Sequence, residues 1–374
     1  MSRGVDVLII GAGIVGAACA DALSREGMRV TVLESATAGS GATAAGMGHI
    51  VVMDDSEAQF ALTRYSSELW RELVPEMPME AEYERRGTLW VATNEVEMAA
   101  VHQKAEYYRQ RGVSVEILNQ DDVRKAEPNL RDDLVGGLLV PDDAVLYAPV
   151  AAAWLLHRAE ARGAIVHYGA TVLKLSPDGV HVAGGEIISA DYIICVTGAS
   201  ATALFPNLRL RPRKGHLAIT DRYPGFLRHQ IVELGYLTSA HGHANESVAF
   251  NVQPRATGQI LIGSSRQYGE EGSQIDTPIL SRMLARAIEY MPRLGSLSII
   301  RAWTGFRAAT DDKLPLVGRA PGFSNVLLAT GHEGLGITTS TGTAALLTDF
   351  ILGRKPAIPL DPYLPSRATE PAHA

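Results

Sequence analysis

Val7-Leu8-Ile9-Ile10 runs directly into Gly11, Gly13 and Gly16, and this junction constrains the fold more than any other feature. A short apolar run reads as a strand buried on both faces. Gly11 permits a tight turn, Gly13 lets a pyrophosphate approach the backbone, and Gly16 lets the next helix pack closely on the strand. The helix runs roughly from Val15 to Arg25, with Ile14 just before it among the expected cofactor neighbours; its N-terminal amides and dipole favour negative charge. Val30-Thr31-Val32-Leu33 forms a second strand ending in Glu34 and Ser35. An acidic residue about 20 positions past the glycines is placed to accept hydrogen bonds from ribose hydroxyls. The βαβ unit therefore predicts a dinucleotide site. Glu34 would repel a 2′-phosphate, which leaves NAD and FAD.

A chain of 374 residues is long enough for two domains. The net charge of −7 comes with no block of Lys or Arg, which argues against nucleic acid or an anionic membrane as partner. No apolar run approaches the ~20 residues of a transmembrane helix, and no signal-like segment precedes the first strand. Cys19 falls in the first helix and Cys195 in an apolar strand, so both read as buried thiols. No metal-ligating constellation is visible, and the expected compartment is the cytoplasm.

The rest of the chain alternates between two kinds of material. A small-residue stretch, "GSGATAAGMG", is followed by a helix near Ser56 to Val74, a strand in "GTLWVAT" and a helix from Glu95 to Arg111. The apolar strand "YIICVTGA" leads to Thr197 and Gly198. Residues 204–305 are richer in strand patterns, with a helix near Pro278 to Tyr290. "NVLLATGHEGLGITTSTG" closes the chain as another strand, glycine turn and helix. Nucleotide-type signals thus recur at the start, middle and end, with strand-rich material between them. The order predicts a dinucleotide domain assembled from separated segments and interrupted by an antiparallel substrate domain.

These motifs, with "GFRAATDDKLPLVG" and "ATGHEGLGIT", resemble the FAD-dependent amine oxidoreductases, a superfamily that includes D-amino-acid oxidase, glycine oxidase and sarcosine oxidase. More narrowly, "AAGMGHIVVMDDS", "ALTRYSSELWREL" and "RPRKGHLAITDRYP" look like the D-hydroxyproline dehydrogenase branch. The resemblance implies an α/β (α+β) fold with a discontinuous Rossmann-like FAD-binding domain of the glutathione-reductase type. That domain would take residues 1–84, 145–205 and 306–374, and the antiparallel-sheet substrate domain residues 85–144 and 206–305. The resemblance selects FAD over NAD. It places Ser40, Gly41, Ala42, Thr43, Ala45, Gly46, Met47 and Gly48 past the pyrophosphate and under the flavin ring, and Val172 at the adenine. It sets Gly331, His332, Gly334, Gly336, Ile337 and Thr338 at the flavin pyrimidine. Members with a histidyl or cysteinyl flavin carry His or Cys at positions where this chain has Thr43 or no cysteine, so non-covalent FAD is expected.

A D-amino acid oxidised by hydride transfer needs no obligatory protein base, but it does need a carboxylate clamp, and the planar fork of Arg suits that task. Arg307 matches the family's clamp. Arg301 and Arg213 are weaker candidates, Tyr236 is a candidate hydroxyl donor to the carboxylate or a ring substituent, and His49 is a candidate neighbour of flavin or substrate. The leading expectation is oxidation of a small D-amino or cyclic imino acid such as cis-4-hydroxy-D-proline or D-proline. The alternatives are glycine or sarcosine oxidation, or a flavoprotein subunit of a larger dehydrogenase complex. Sarcosine-oxidase-like members place an oxygen-activating Lys where this chain has Leu261. Electron transfer to a quinone or dye is therefore expected to outpace transfer to O2. Partner subunits or a homo-oligomer remain open at this level.

Overall fold

The computed structural model describes residues 5–235, 246–270 and 272–368. A six-stranded sheet is ordered Leu316–Arg319, Val326–Thr330, Ala190–Cys195, Val5–Ile10, Val30–Glu34 and Ile165–Tyr168. All its pairings are parallel except that of Leu316–Arg319 with its neighbour. The first strand is central, with Ile9 opposite Ile194 on one side and Val32 on the other. That position explains its unbroken apolar run, because both faces must be covered.

Alternation along the strands sorts the two cores. Val7, Ile9, Val32 and Ile194 face a helical layer made of the glycine-turn helix (Ile14–Arg25), the helix Ala148–Ala161 and the C-terminal helix (Gly336–Ile351). Leu8, Ile10, Leu33 and Ile193 face the opposite way and pack with Val180 and Val182. Those two residues belong to a three-stranded antiparallel sheet, Val172–Ser176, Gly179–Val182 and Ile187–Ile188. The small residues of the first helix have a reason. A side chain at Gly16 would lie 2.1 Å from the Gly11 carbonyl oxygen, and Ala17, Ala18 and Ala20 are buried between the helices.

A second sheet has eight strands, ordered Ile299–Ala309, Arg211–Thr220, Ile260–Gln267, Glu246–Pro254, Gln230–Glu233, Thr88–Ala92, Gly136–Val140 and Glu116–Asn119. It is antiparallel except where Gln230–Glu233 runs parallel to Thr88–Ala92. The antiparallel substrate sheet expected from the sequence is thus present, and its one parallel pairing arises because the chain enters those two strands from separate excursions rather than through a hairpin. The sheet also continues past residue 305, since Ile299–Ala309 is one strand. Leu89, Val91, Ile231, Phe250 and Val252 point to one face and pack on Met283, Ala287 and Tyr290 of the helix Thr277–Tyr290. The other face is left for the site.

Both cysteines are buried free thiols. Among the described residues, no helix is long and apolar enough to cross a membrane, and no group of His, Cys, Asp and Glu is arranged to hold a metal ion.

The Gly16 contact yields a test. Backbone cannot move aside as a flexible side chain can, so Gly16→Ala is expected to lower stability by roughly 1–3 kcal/mol and to loosen the glycine turn. Thermal unfolding and the absorbance of the purified protein would show both effects; a variant with wild-type Tm and wild-type cofactor content would refute the packing argument.

Candidate active site

Two cavities meet beyond the C-terminal ends of the parallel strands, where open α/β sheets hold their ligands. The larger is a cleft of about 1010 Å³ running from Glu34 past the glycine turn to Gly336. The smaller, of about 90 Å³, lies against the eight-stranded sheet. His49, Asn251, Glu333 and Gly334 line both, so the smaller opens onto the inner end of the larger.

In the cleft, Glu34 is held by short bonds. Its Oε2 accepts the Ala12 N–H at 2.7 Å and its Oε1 accepts the Ala36 N–H at 2.8 Å. The Thr43 hydroxyl oxygen accepts the Ile14 N–H at 3.0 Å, which fastens the small-residue segment to the start of the first helix. The same segment packs beneath the eight-stranded sheet, where a side chain at Gly305 would lie 2.3 Å from the Ala45 Cβ. Neither the first helix nor the C-terminal helix has a side-chain cap or an acidic residue in its first turn. Both N-termini are therefore electrostatically suited to anionic or electron-rich groups. At Gly41 and Gly198, both lining the cleft, an added Cβ would meet nothing within 4 Å. A long, narrow, glycine-walled cleft with two uncapped helix ends fits an extended dinucleotide.

The cofactor residues expected from the sequence all line this cleft, with two exceptions. Gly16 lies behind the turn in the helix–strand contact described above. Thr338 is fully buried; its hydroxyl donates to the His49 carbonyl at 2.8 Å and accepts the Val51 N–H at 3.3 Å. It thus ties the strand His49–Ile50 to the C-terminal helix instead of facing the cleft. Val172, Thr197 and Leu261 are cleft residues. Tyr236 lies outside the described residues. Burial pushes the imidazoles of His49 and His332 down to about 4, so both are neutral near pH 7. Neither is matched to a proton-accepting role at that pH.

The inner end of the cleft is strongly charged. Arg307 stands opposite Arg213 on the neighbouring strand, and its Nη1 donates to the Ser265 carbonyl at 3.1 Å. Gly215 makes room for it: a Cβ there would lie 2.3 Å from Arg307 Nη1. Buried Arg213 donates to Glu333 at 3.3 Å. Burial works against the Glu333 carboxylate, yet the charges of Arg266, Arg307 and Arg213 and the Gly334 N–H together hold it below its usual range. Arg301 instead sits on the exposed rim over the Trp303 ring.

The smaller cavity brings together residues that the sequence reading did not single out: Thr88, Trp90, Gln230, Asn251, Arg266, Lys313 and Glu333. Lys313 and Glu333 have left-handed backbones, with φ of 63° and 50°. Such conformations are unfavourable for side-chain-bearing residues and collect at functional sites. Behind the wall, Thr88 donates its hydroxyl hydrogen to Asp143 Oδ2, Gln230 Nε2 donates to Thr88 Oγ1, and the Val52 N–H reaches Asp143 Oδ1 at 3.2 Å. Burial raises the Asp143 carboxyl to about 7, against the opposing donors Thr88 and Val52 and the charge of Lys104.

The model of the family described as FAD dependent oxidoreductase matches residues 6–350. Glycine oxidase of Geobacillus kaustophilus is 25% identical over 379 residues, covering 97% of each chain. The crystal structure of glycine oxidase from that organism superposes with a TM-score of 0.89, covering 99% of this chain and 100% of the other. The structure of L-proline dehydrogenase from P. horikoshii, at 22% identity, superposes with a TM-score of 0.87 over 98% of both chains and shows a common fold.

The Asp143 pKa gives a pH dependence with a definite sign. The folded chain keeps this proton up to about pH 7, whereas the unfolded chain releases it near 3.8. The stability linked to it is fully present below about pH 4 and is lost as pH rises towards 7. Asp143→Asn removes that loss, so the Tm of the variant relative to wild type should climb between pH 4.5 and 8. Parallel Tm–pH curves would contradict the assignment.

Proposed function

Because the chain belongs to the family of FAD dependent oxidoreductases, we propose that it oxidises the C–N bond of a small D-amino or cyclic imino acid, cis-4-hydroxy-D-proline or D-proline being the favoured substrates. The larger cleft would hold FAD non-covalently, and the bound flavin would supply the two-electron acceptor for oxidation of the substrate C–N bond. The observation that carries the reading is Arg307, a guanidinium lining the larger cleft beside Gly334, held by the Ser265 carbonyl in the space that Gly215 leaves.

On this reading Arg307 pairs with the substrate carboxylate and fixes which face of the α-carbon is presented. Glu333 keeps the neighbouring cations from acting as a second, misplaced clamp, because it already engages Arg213. The positive surroundings disfavour a protonated substrate amine, and a neutral amine is the form that loses a hydride readily. His49 contributes a neutral surface where the two cavities join. The small cavity receives only a small substituent or side chain, since its volume of about 90 Å³ is below that of an engineered cavity of about 150 Å³ that admits benzene. Glycine or sarcosine oxidation is the second reading, favoured by the similarity to glycine oxidase. Either substrate would leave the small cavity without a side chain to fill it.

The direct test is an anaerobic flavin-bleaching screen with D-proline, its 4-hydroxy isomers, other D-amino acids, glycine and sarcosine. Bleaching by glycine or sarcosine with none by cyclic substrates would replace the proposal with the second reading. Arg307→Ala should retain fold and flavin while kcat/KM falls by roughly tens- to thousands-fold, and Arg307→Lys should recover only part of it. Unchanged kinetics in a folded, yellow variant would remove Arg307 from the site. Acid precipitation should release all flavin as FAD into the supernatant, and flavin retained in the pellet would mean a covalent link.

A further inference from the structure

Arg307 reaches its carbonyl partner by crossing a strand. It stands on Ile299–Ala309, whose neighbour is Arg211–Thr220, and Ser265 lies on the third strand, Ile260–Gln267. The guanidinium passes over Gly215 of the middle strand, where a Cβ would lie 2.3 Å from Nη1 and 2.9 Å from Cζ. Its placement therefore depends on how the middle and third strands sit against each other at this point. Their ladder is interrupted there. Lys214 pairs with Gln267 and Ala218 with Ile262, so residues 215–217 face residues 263–266, one more than the middle strand supplies.

His216 closes that gap. It alternates with Gly215 and Leu217, which line the cleft, and so points to the opposite face of the sheet. Its backbone N–H donates to Ser265 Oγ at 2.8 Å, and its ring Nδ1 lies 2.9 Å from the same oxygen. The Asp276 N–H donates to His216 Nε2 at 3.0 Å. A backbone amide can only donate, so Nε2 carries the lone pair and Nδ1 the proton. Both His216 donors thus converge on one hydroxyl oxygen, and both residues are fully buried. Burial and the charges of Lys214 and Arg307 hold the imidazole below its usual range, against the attraction of Asp276, which agrees with this neutral tautomer.

We infer that His216 is a positioning residue for the carboxylate clamp: by gripping Ser265 from behind the sheet, it fixes both the carbonyl that holds Arg307 and the Gly215 floor beneath the guanidinium. His216 lines neither cavity, so it acts on a ligand only through Arg307. A guanidinium displaced by about 1 Å no longer meets both oxygens of a carboxylate squarely. The inference rests on Arg307 pairing with the substrate carboxylate, and it holds for a cyclic imino acid and for glycine or sarcosine alike.

The test is a double-mutant cycle in the holoenzyme. Tetrahydrofuran-2-carboxylate and methoxyacetate, redox-inert oxygen isosteres of proline and sarcosine, are titrated by perturbation of the flavin spectrum. His216→Leu should weaken the better-bound carboxylate by roughly 10-fold with flavin content retained. His216→Asn, which keeps an N–H near the Nδ1 position, should recover most of that affinity. In an Arg307→Ala background, His216→Leu should cost little more, because the two residues act through one contact. A general structural role would instead give losses that multiply. That result, or unchanged affinity in a folded, flavin-loaded His216→Leu variant, would overturn the inference. Arg307→Ala binding both carboxylates as tightly as wild type would overturn the clamp reading itself. If His216→Leu fails to fold, Ser265→Ala removes the same oxygen and takes its place in the cycle.

Discussion

The first helix can begin where it does only because Gly16 has no side chain, its Cα lying against the carbonyl of Gly11. That contact sets the distance between helix and central strand, and much else is referred to it. The helix packs on Ala148–Ala161 and on the C-terminal helix in one core. The C-terminal helix in turn fixes His49 and Val51 through Thr338. A single close backbone approach thus propagates into the placement of both cleft walls. Because the contact is between backbone atoms, there is little in it that can relax.

The opposite end of the cleft is organised by charge rather than by close packing. Arg213, Arg266, Arg307 and Lys313 surround Glu333 and Asp55. Burying like charges together is tolerable when a carboxylate sits among them, and Glu333 remains ionised for that reason. Its left-handed backbone, in a loop otherwise rich in glycine, is the local strain that this position entails.

The sequence disclosed whatever is local. The strand–glycine–helix unit, Glu34, the small-residue segment and the closing glycine turn each lie within a short window whose physics is self-contained, and Arg307 stood out as a lone charge in an apolar stretch. Gly16 was legible for the same reason, since its spacing from Gly11 encodes a packing distance. The smaller cavity was not legible. Thr88 and Gln230 are neighbours across 142 positions of chain, and nothing in "GTLWVAT" shows which alternate side chains face a cavity. The role of Thr338 was likewise hidden, because it depends on a carbonyl and an amide 289 and 287 residues away.

The two ends of the site follow different rules, and this bears on how such a chain can diversify. The dinucleotide-binding end of the cleft is lined largely by backbone amides, glycines and the Glu34 carboxylate, groups that most substitutions in the eight-stranded sheet leave untouched. The small cavity is lined by alternate residues on the free face of that sheet, while the intervening residues hold the core against the helix Thr277–Tyr290. Changing Trp90, Gln230 or Asn251 therefore alters what the cavity accepts without touching Leu89, Ile231 or Phe250, which keep the strands in place. Arg307 lines the larger cleft from a further strand, Ile299–Ala309, and its orientation depends on Gly215 and Ser265 rather than on the cavity wall. Arg307, the cleft and the smaller cavity are thus held by largely separate sets of contacts, so one face of one sheet can change while the rest of the site keeps its shape.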